Sequence, residues 1–220
     1  GGVILGTPQA FGVGTNANVN LNSGNGRIGI AGQNSTGTET FIFGIMSYNG
    51  VYMNAGTGDI TMYGLANGSG KSENWGIISS PWFTGLPSPL WKTNGGNITL
   101  NGVASSTASS YGHGIDLQGG TTIENLSAST GSITLNGQST NASSGNDGLR
   151  LWGANVLAAS GPIALNSNAA GNSYYQVGGY TLTVGSKAGS DVTSSTSPVV
   201  LTADAFNIAG PLTINTSGTV

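Results

Sequence analysis

Apolar and polar residues alternate along this chain in short bursts, each set between turn formers. The clearest burst reads Gly58-Asp-Ile-Thr-Met-Tyr-Gly64 and returns as Gly96-Asn-Ile-Thr-Leu-Asn-Gly102 and Gly131-Ser-Ile-Thr-Leu-Asn-Gly137. Further copies are Gly161-Pro-Ile-Ala-Leu-Asn-Ser167 and Gly210-Pro-Leu-Thr-Ile-Asn-Thr216, and a looser one opens the series at Gly26-Arg-Ile-Gly-Ile-Ala-Gly32. Their starts lie 32, 38, 35, 30 and 49 residues apart. Alternation with a period of two predicts half-buried strands, and recurrence at this spacing predicts a solenoid.

The pattern sorts into columns because successive strand side chains face opposite sides. Ile60, Ile98, Ile133, Ile163 and Leu212 form one inward column; Met62, Leu100, Leu135, Leu165 and Ile214 form a second. Thr61, Thr99, Thr134, Ala164 and Thr213 lie between them and point outward. Seven residues before the first column stand Met53, Trp91, Leu126, Val156 and Ala205, which predict a second registered strand. Gly114-Ile-Asp-Leu117 and Gly148-Leu-Arg-Leu151, 34 residues apart, predict another. In that strand Asp116 and Arg150 occupy the same polar position and are expected to be neighbours on one face. Near the N-terminus, Val19 and Leu21 alternate inward, and 41–45 and 51–53 continue the pattern. Three short strands per repeat predict an all-β fold, a parallel β-helix of roughly 30–38 residues per coil forming one elongated unit over 1–220. Two stretches break the rhythm. Residues 71–93 carry three prolines and three tryptophans and are expected to be an insertion that projects from the coil. Residues 169–197 are expected to be an irregular coil or an insertion.

Composition narrows the class. Only 6% of the 220 residues are charged and 39 are glycine, where a compact domain carries about 25% charged residues. Registered apolar columns argue against disorder, which pairs low hydrophobicity with high net charge. A net charge of −3 argues against a nucleic-acid surface. Without cysteine the chain has no disulfide, thiolate metal site or cysteine nucleophile. No apolar run is long enough for a membrane-spanning helix. The chain begins in mid-pattern and is expected to be a fragment of a longer rod.

Candidate chemistry is thin. Asn67-Gly-Ser-Gly-Lys-Ser72 resembles the end of a phosphate-binding loop, but the first glycine is replaced by Leu65 and a strand-like stretch follows, so a corner loop is expected. His113, the single histidine, stands between Gly112 and Gly114 and reads as a turn residue. The eight acidic residues are spread along the chain; the tightest grouping joins Asp116 and Asp147 with Arg150, and a stacked ion pair accounts for it as well as catalysis does. No catalytic, cofactor-binding or metal-binding residue is assigned. The aromatic residues of 71–93 either plug the coil or offer flat faces to a sugar or a partner protein. On the second reading the contact residues are Trp75, Trp82 and Phe83.

The repeated Gly-x-Ile-Thr-Leu-Asn-Gly phrases, preceded by phrases such as Asn155-Val-Leu-Ala-Ala-Ser-Gly161, resemble the filamentous-haemagglutinin-type exoproteins of Gram-negative bacteria. The resemblance runs from about Asn16 to Thr216. The Asn-Pro-Asn-Gly-type motif of that family's secretion domain is absent from this sequence. The resemblance implies a right-handed parallel β-helix serving as a non-enzymatic shaft segment of a secreted adhesin on the bacterial surface. It also implies an outer-membrane transporter as secretion partner and a host-cell protein or glycan as receptor. The rival reading is a carbohydrate-active β-helix, a polysaccharide lyase, hydrolase or phage tailspike fragment.

Overall fold

A computed structural model describes residues 2–6, 18–34, 41–68, 73–80, 86–105, 111–127, 130–140, 145–169, 172–176 (backbone) and 179–220. These residues form a parallel β-solenoid in which the chain visits three sheets in constant order. Sheet A stacks Val3–Leu5, Phe41–Tyr48, Glu73–Ser80, Tyr111–Gln118, Asp147–Trp152, Asn172–Gln176 and Phe206–Ile208. Sheet B stacks Val19–Asn22, Val51–Asn54, Leu90–Thr93, Thr122–Asn125, Asn155–Ala158, Leu182–Gly185 and Leu212–Asn215. Sheet C stacks Ile28–Asn34, Ile60–Asn67, Ile98–Ser105, Ile133–Ser139, Ile163–Ala169 and Val199–Ala203. Every pairing is parallel, so backbone hydrogen bonds run from coil to coil along the axis.

The two aliphatic columns of the repeated phrase line the core from sheet C. Ile28, Ile60, Ile98, Ile133, Ile163 and Val199 are register partners and are all buried. Sheet B contributes Met53, Trp91, Ile123, Val156 and Val184, and sheet A contributes Ile45, Ile77, Ile115 and Leu149. Val19 and Leu21 pack on this core as their alternation predicts.

Glycine at both ends of the phrase permits close backbone approach, although Ser167 and Ala203 take the closing position in the last two coils. The opening glycines stack on one another between coils: a Cβ on Gly96 would lie 1.8 Å from the Gly58 carbonyl oxygen, and one on Gly161 would lie 1.5 Å from that of Gly131. The closing glycines face sheet A across the coil. A Cβ on Gly64, Gly102 or Gly137 would lie 2.0 Å from the carbonyl oxygen of Gly76, Gly114 or Gly148, respectively. Between these glycines the variable second residue ties coils together. Asp59 accepts the Asn97 amide N–H at 2.8 Å, and the Asn97 side chain accepts that of Ser132 at 3.0 Å.

Several expectations need correction. Leu212 and Ile214 belong to sheet B, paired with Leu182 and Val184, and the sheet C successor of Ile163 and Leu165 is Val199 and Leu201. Any half-buried strand can carry the same alternation, so the phrase does not specify its sheet. In the sheet B column Leu126 gives way to Ile123, because the corner that follows is longer in this coil, and Ala205 lies outside the column. Within 71–93, residues 73–80 and 90–93 belong to the coil and do not project from it, while 71–72 and 81–85 lie outside the described residues. Glu73–Ser80 is an interior strand of sheet A paired on both sides, and Leu90–Thr93 is paired in sheet B. Pro87 and Pro89 sit at the corner between them, where their carbonyls accept the Gly50 and Thr122 N–H groups and no donor is needed. In 169–197 the coil is regular through Asn172–Gln176 and Leu182–Gly185, and the extra length is a corner at 186–198.

Candidate functional site

Sheet A carries side chains on two buried faces. Inward residues such as Ile77, Ile115 and Leu149 enter the core, while the other face holds the register columns Phe43–Trp75–His113–Asp147 and Met46–Ile78–Asp116–Arg150. In the earlier coils these columns are apolar: Trp75 packs with Met46 and Ile78 and stacks on Phe41, ring centroids 5.9 Å apart. In the later coils they turn polar.

Asp116 and Arg150 are register partners and form an ion pair, as their shared position predicts. Gln118 donates from Nε2 to the same Asp116 Oδ2 at 2.7 Å. The Arg150 guanidinium also lies 5.0 Å from the Trp152 ring centre, a cation–π contact. One column away His113 Nδ1 stands 3.0 Å from Asp147 Oδ2, with both side chains about 1% exposed. Burial pushes the Asp147 carboxyl up to about 7; Arg150 opposes this and Asp116 adds to it. Burial also holds His113 well below the usual imidazole range, and the Arg150 cation acts in the same direction. His113 is therefore neutral at pH 7, and burial likewise favours the protonated, uncharged form of the Asp147 carboxyl beside it. Glu73, in the adjoining coil, is raised by burial, with Arg150 lowering and Asp116 raising it.

A second polar group decorates sheet B. Lys92 and Glu124 are register partners. Lys92 Nζ lies 3.3 Å from Asp191 Oδ2 and 5.5 Å from the centre of the Tyr52 ring. Lys187 donates to Asn155 Oδ1 at 2.9 Å. Asp191 and Lys187 come from the long corner at 186–198, which these contacts fasten across sheet B beside a cavity of about 320 Å³. Burial, reinforced by Asp191, pushes Glu124 up to about 7, with Lys92 opposing.

The sheet A group is closed. Asp116 is buried and tied to Arg150, and Asp147 is buried against His113, so neither is poised over an open groove as glycoside cleavage requires. Among the described residues no group of three or more His, Cys, Asp or Glu side chains could hold a metal ion. Of the expected contact residues Trp75 is 1% exposed within sheet A, whereas Trp82 and Phe83 lie outside the described residues. Most of the residue 67–72 loop also lies outside them. His113 is a strand residue rather than a turn residue. Its flanking Gly114 serves close approach, since a Cβ there would meet the Gln138 nitrogen at 2.2 Å. His113 and Asp147 are register partners in adjacent coils, 34 residues apart like Asp116 and Arg150, so the same spacing was the signal that could have paired them.

Fold and site together define a parallel β-solenoid repeat protein. Comparison with protein-family models, curated proteins and solved structures gives no match.

Proposed function

We propose that this chain is a shaft segment of a secreted bacterial surface adhesin, holding a binding region away from the cell and performing no reaction of its own. The observation that supports this most is the continuity of the columns. The same aliphatic positions are buried in sheet C from Ile28 to Val199, and parallel ladders join every coil to the next. Such a unit can be lengthened by repetition, because each coil contacts only its neighbours. Sparse charge and the family-like phrases agree with this role. The proposed partners are an outer-membrane transporter during secretion and a host-cell protein or glycan at the distal end. Antibodies raised against this chain should label intact cells of the source organism, and protease added to those cells should remove the epitope. Label that appears only after the cells are broken open would refute the surface assignment.

A further inference from the structure

The outward face of sheet C carries a groove that runs along the closing position of the phrase. The outward residues before and after that position form two walls along the solenoid axis, with Gly64, Gly102, Gly137 and Ser167 between them. One wall is the register column Tyr63–Asn101–Asn136–Asn166–Thr202. The other presents Val103, Gln138 and Asn168, and the enclosed volume is about 750 Å³.

The asparagines form a hydrogen-bonded ladder. Asn166 Nδ2 donates to Asn136 Oδ1 at 2.9 Å, and Asn136 Nδ2 donates to Asn101 Oδ1 at 2.8 Å. An amide nitrogen has two donors and its oxygen two lone pairs, so each bonded rung keeps a donor or an acceptor for a ligand. The ladder also fixes each amide's orientation before anything binds, which lowers the entropy cost of recognition. Rungs recur about every 4.8 Å, close to the length of one pyranose in an extended chain. Tyr63, 45% exposed, closes one end with an aromatic face. Among the described lining residues Asp204 carries the sole charge.

We propose that this groove binds an uncharged, extended oligosaccharide lying along the solenoid axis. Its hydroxyls would pair with Asn101, Asn136, Asn166, Gln138 and Asn168, and one ring would stack on Tyr63. Hydroxyls act as donor and acceptor at once, as the amides do, so each rung can make a reciprocal pair. An acidic glycan would meet only an anion, Asp204. The proposal does not rest on the surface-shaft reading: the groove belongs to the folded chain wherever it acts.

The test is calorimetric titration of the 220-residue chain with cello-, manno- and galacto-oligosaccharides of increasing length. Oligogalacturonates and uncharged extended peptides serve as the other arms. Binding of at least one neutral series is expected, with affinity rising with length and little affected by salt. Tyr63→Ala and Gln138→Ala, both at exposed positions outside the ladder, should each weaken it about tenfold with unchanged thermal melting. The proposal is overturned if no neutral series binds, if both variants bind as tightly as the parent, or if acidic oligosaccharides or peptides bind in preference.

Discussion

Replacing Gly137 by alanine tests whether the closing glycine is a steric requirement. The new Cβ would stand 2.0 Å from the Gly148 carbonyl oxygen and 2.6 Å from Leu149 Cδ2. Side-chain carbons essentially never approach other atoms within 3.0 Å, so the Gly148 backbone has to recede by about 1 Å. It cannot do so freely, because the Asp147–Trp152 strand is paired on both sides and no rotamer change moves a carbonyl. Overpacking a core costs about 1–3 kcal/mol, and with backbone as the obstacle the upper end is expected, about 3 kcal/mol. Gly29 is the internal control. It lies in the same sheet on the outward face, and a Cβ there meets nothing within 4 Å. Gly29→Ala should be neutral or stabilise by about 0.5 kcal/mol through the unfolded chain. Urea unfolding followed by circular dichroism measures both, with the slope checked for loss of two-state behaviour. A Gly137→Ala variant within about 0.5 kcal/mol of the parent would refute the close-approach account.

Ile133→Asp should abolish the protease-resistant core, because it places an unpaired carboxylate among fully buried aliphatics; a folded, resistant variant would overturn the inward column. Asp116→Ala should cost about 3 kcal/mol or more by leaving the largely buried Arg150 unpaired, and Asp116→Leu combined with Arg150→Leu should recover part of the loss in the same unfolding assay. Asp147 and Glu124, both raised to about 7, hold protons in the folded chain that the unfolded chain releases at its ordinary carboxylate values, so each contributes stability at low pH that is lost as pH rises towards 7. His113, held low, acts oppositely: the unfolded chain binds a proton below about 6.5 that the folded chain refuses, so its contribution falls as pH is lowered. Unfolding measured from about pH 4 to 8 should therefore give a smaller fall with rising pH for Asp147→Asn than for the parent, and identical pH profiles would refute the buried-proton assignment.

Where the sequence was legible, the reason was periodicity. Ile60, Ile98, Ile133 and Ile163 are register partners as their phrase predicts, and Asp116 meets Arg150 because 34 residues separate them in two matching Gly-x-x-Leu bursts. Where it misled, the same local pattern served two places. The Gly-Pro-Leu-Thr-Ile-Asn copy lies in sheet B, while the true sheet C successor opens with Ser197-Pro198. Leu126 was displaced by three positions because alternation fixes side-chain facing within a strand and carries no record of corner length. His113 read as a turn residue because glycine on both sides suggests a turn, although Gly114 serves backbone contact. The groove on sheet C was legible only in part. Asn101, Asn136 and Asn166 were visible as repeated letters, but the opposite wall of Val103, Gln138 and Asn168 carries no repeated letter.

The distribution of charge follows from the same geometry. A solenoid strand with one wet face can leave its polar residues to solvent, as sheet C does with its threonines and asparagines. Sheet A buries both faces in its middle coils: in Glu73–Ser80 and Tyr111–Gln118 every residue after the first is buried. Any ionisable group on its second face must then be apolar in effect, either paired or neutralised. Asp116 is paired with Arg150, and burial favours the neutral forms of both His113 and Asp147. In the preceding coils the equivalent positions are filled by Met46, Ile78 and Trp75, which meet the same requirement without charge. One backbone frame therefore accepts a hydrophobic filling or an internally neutral polar filling, and it excludes half of a pair. For that reason substitutions in this column are expected to succeed in twos and fail singly.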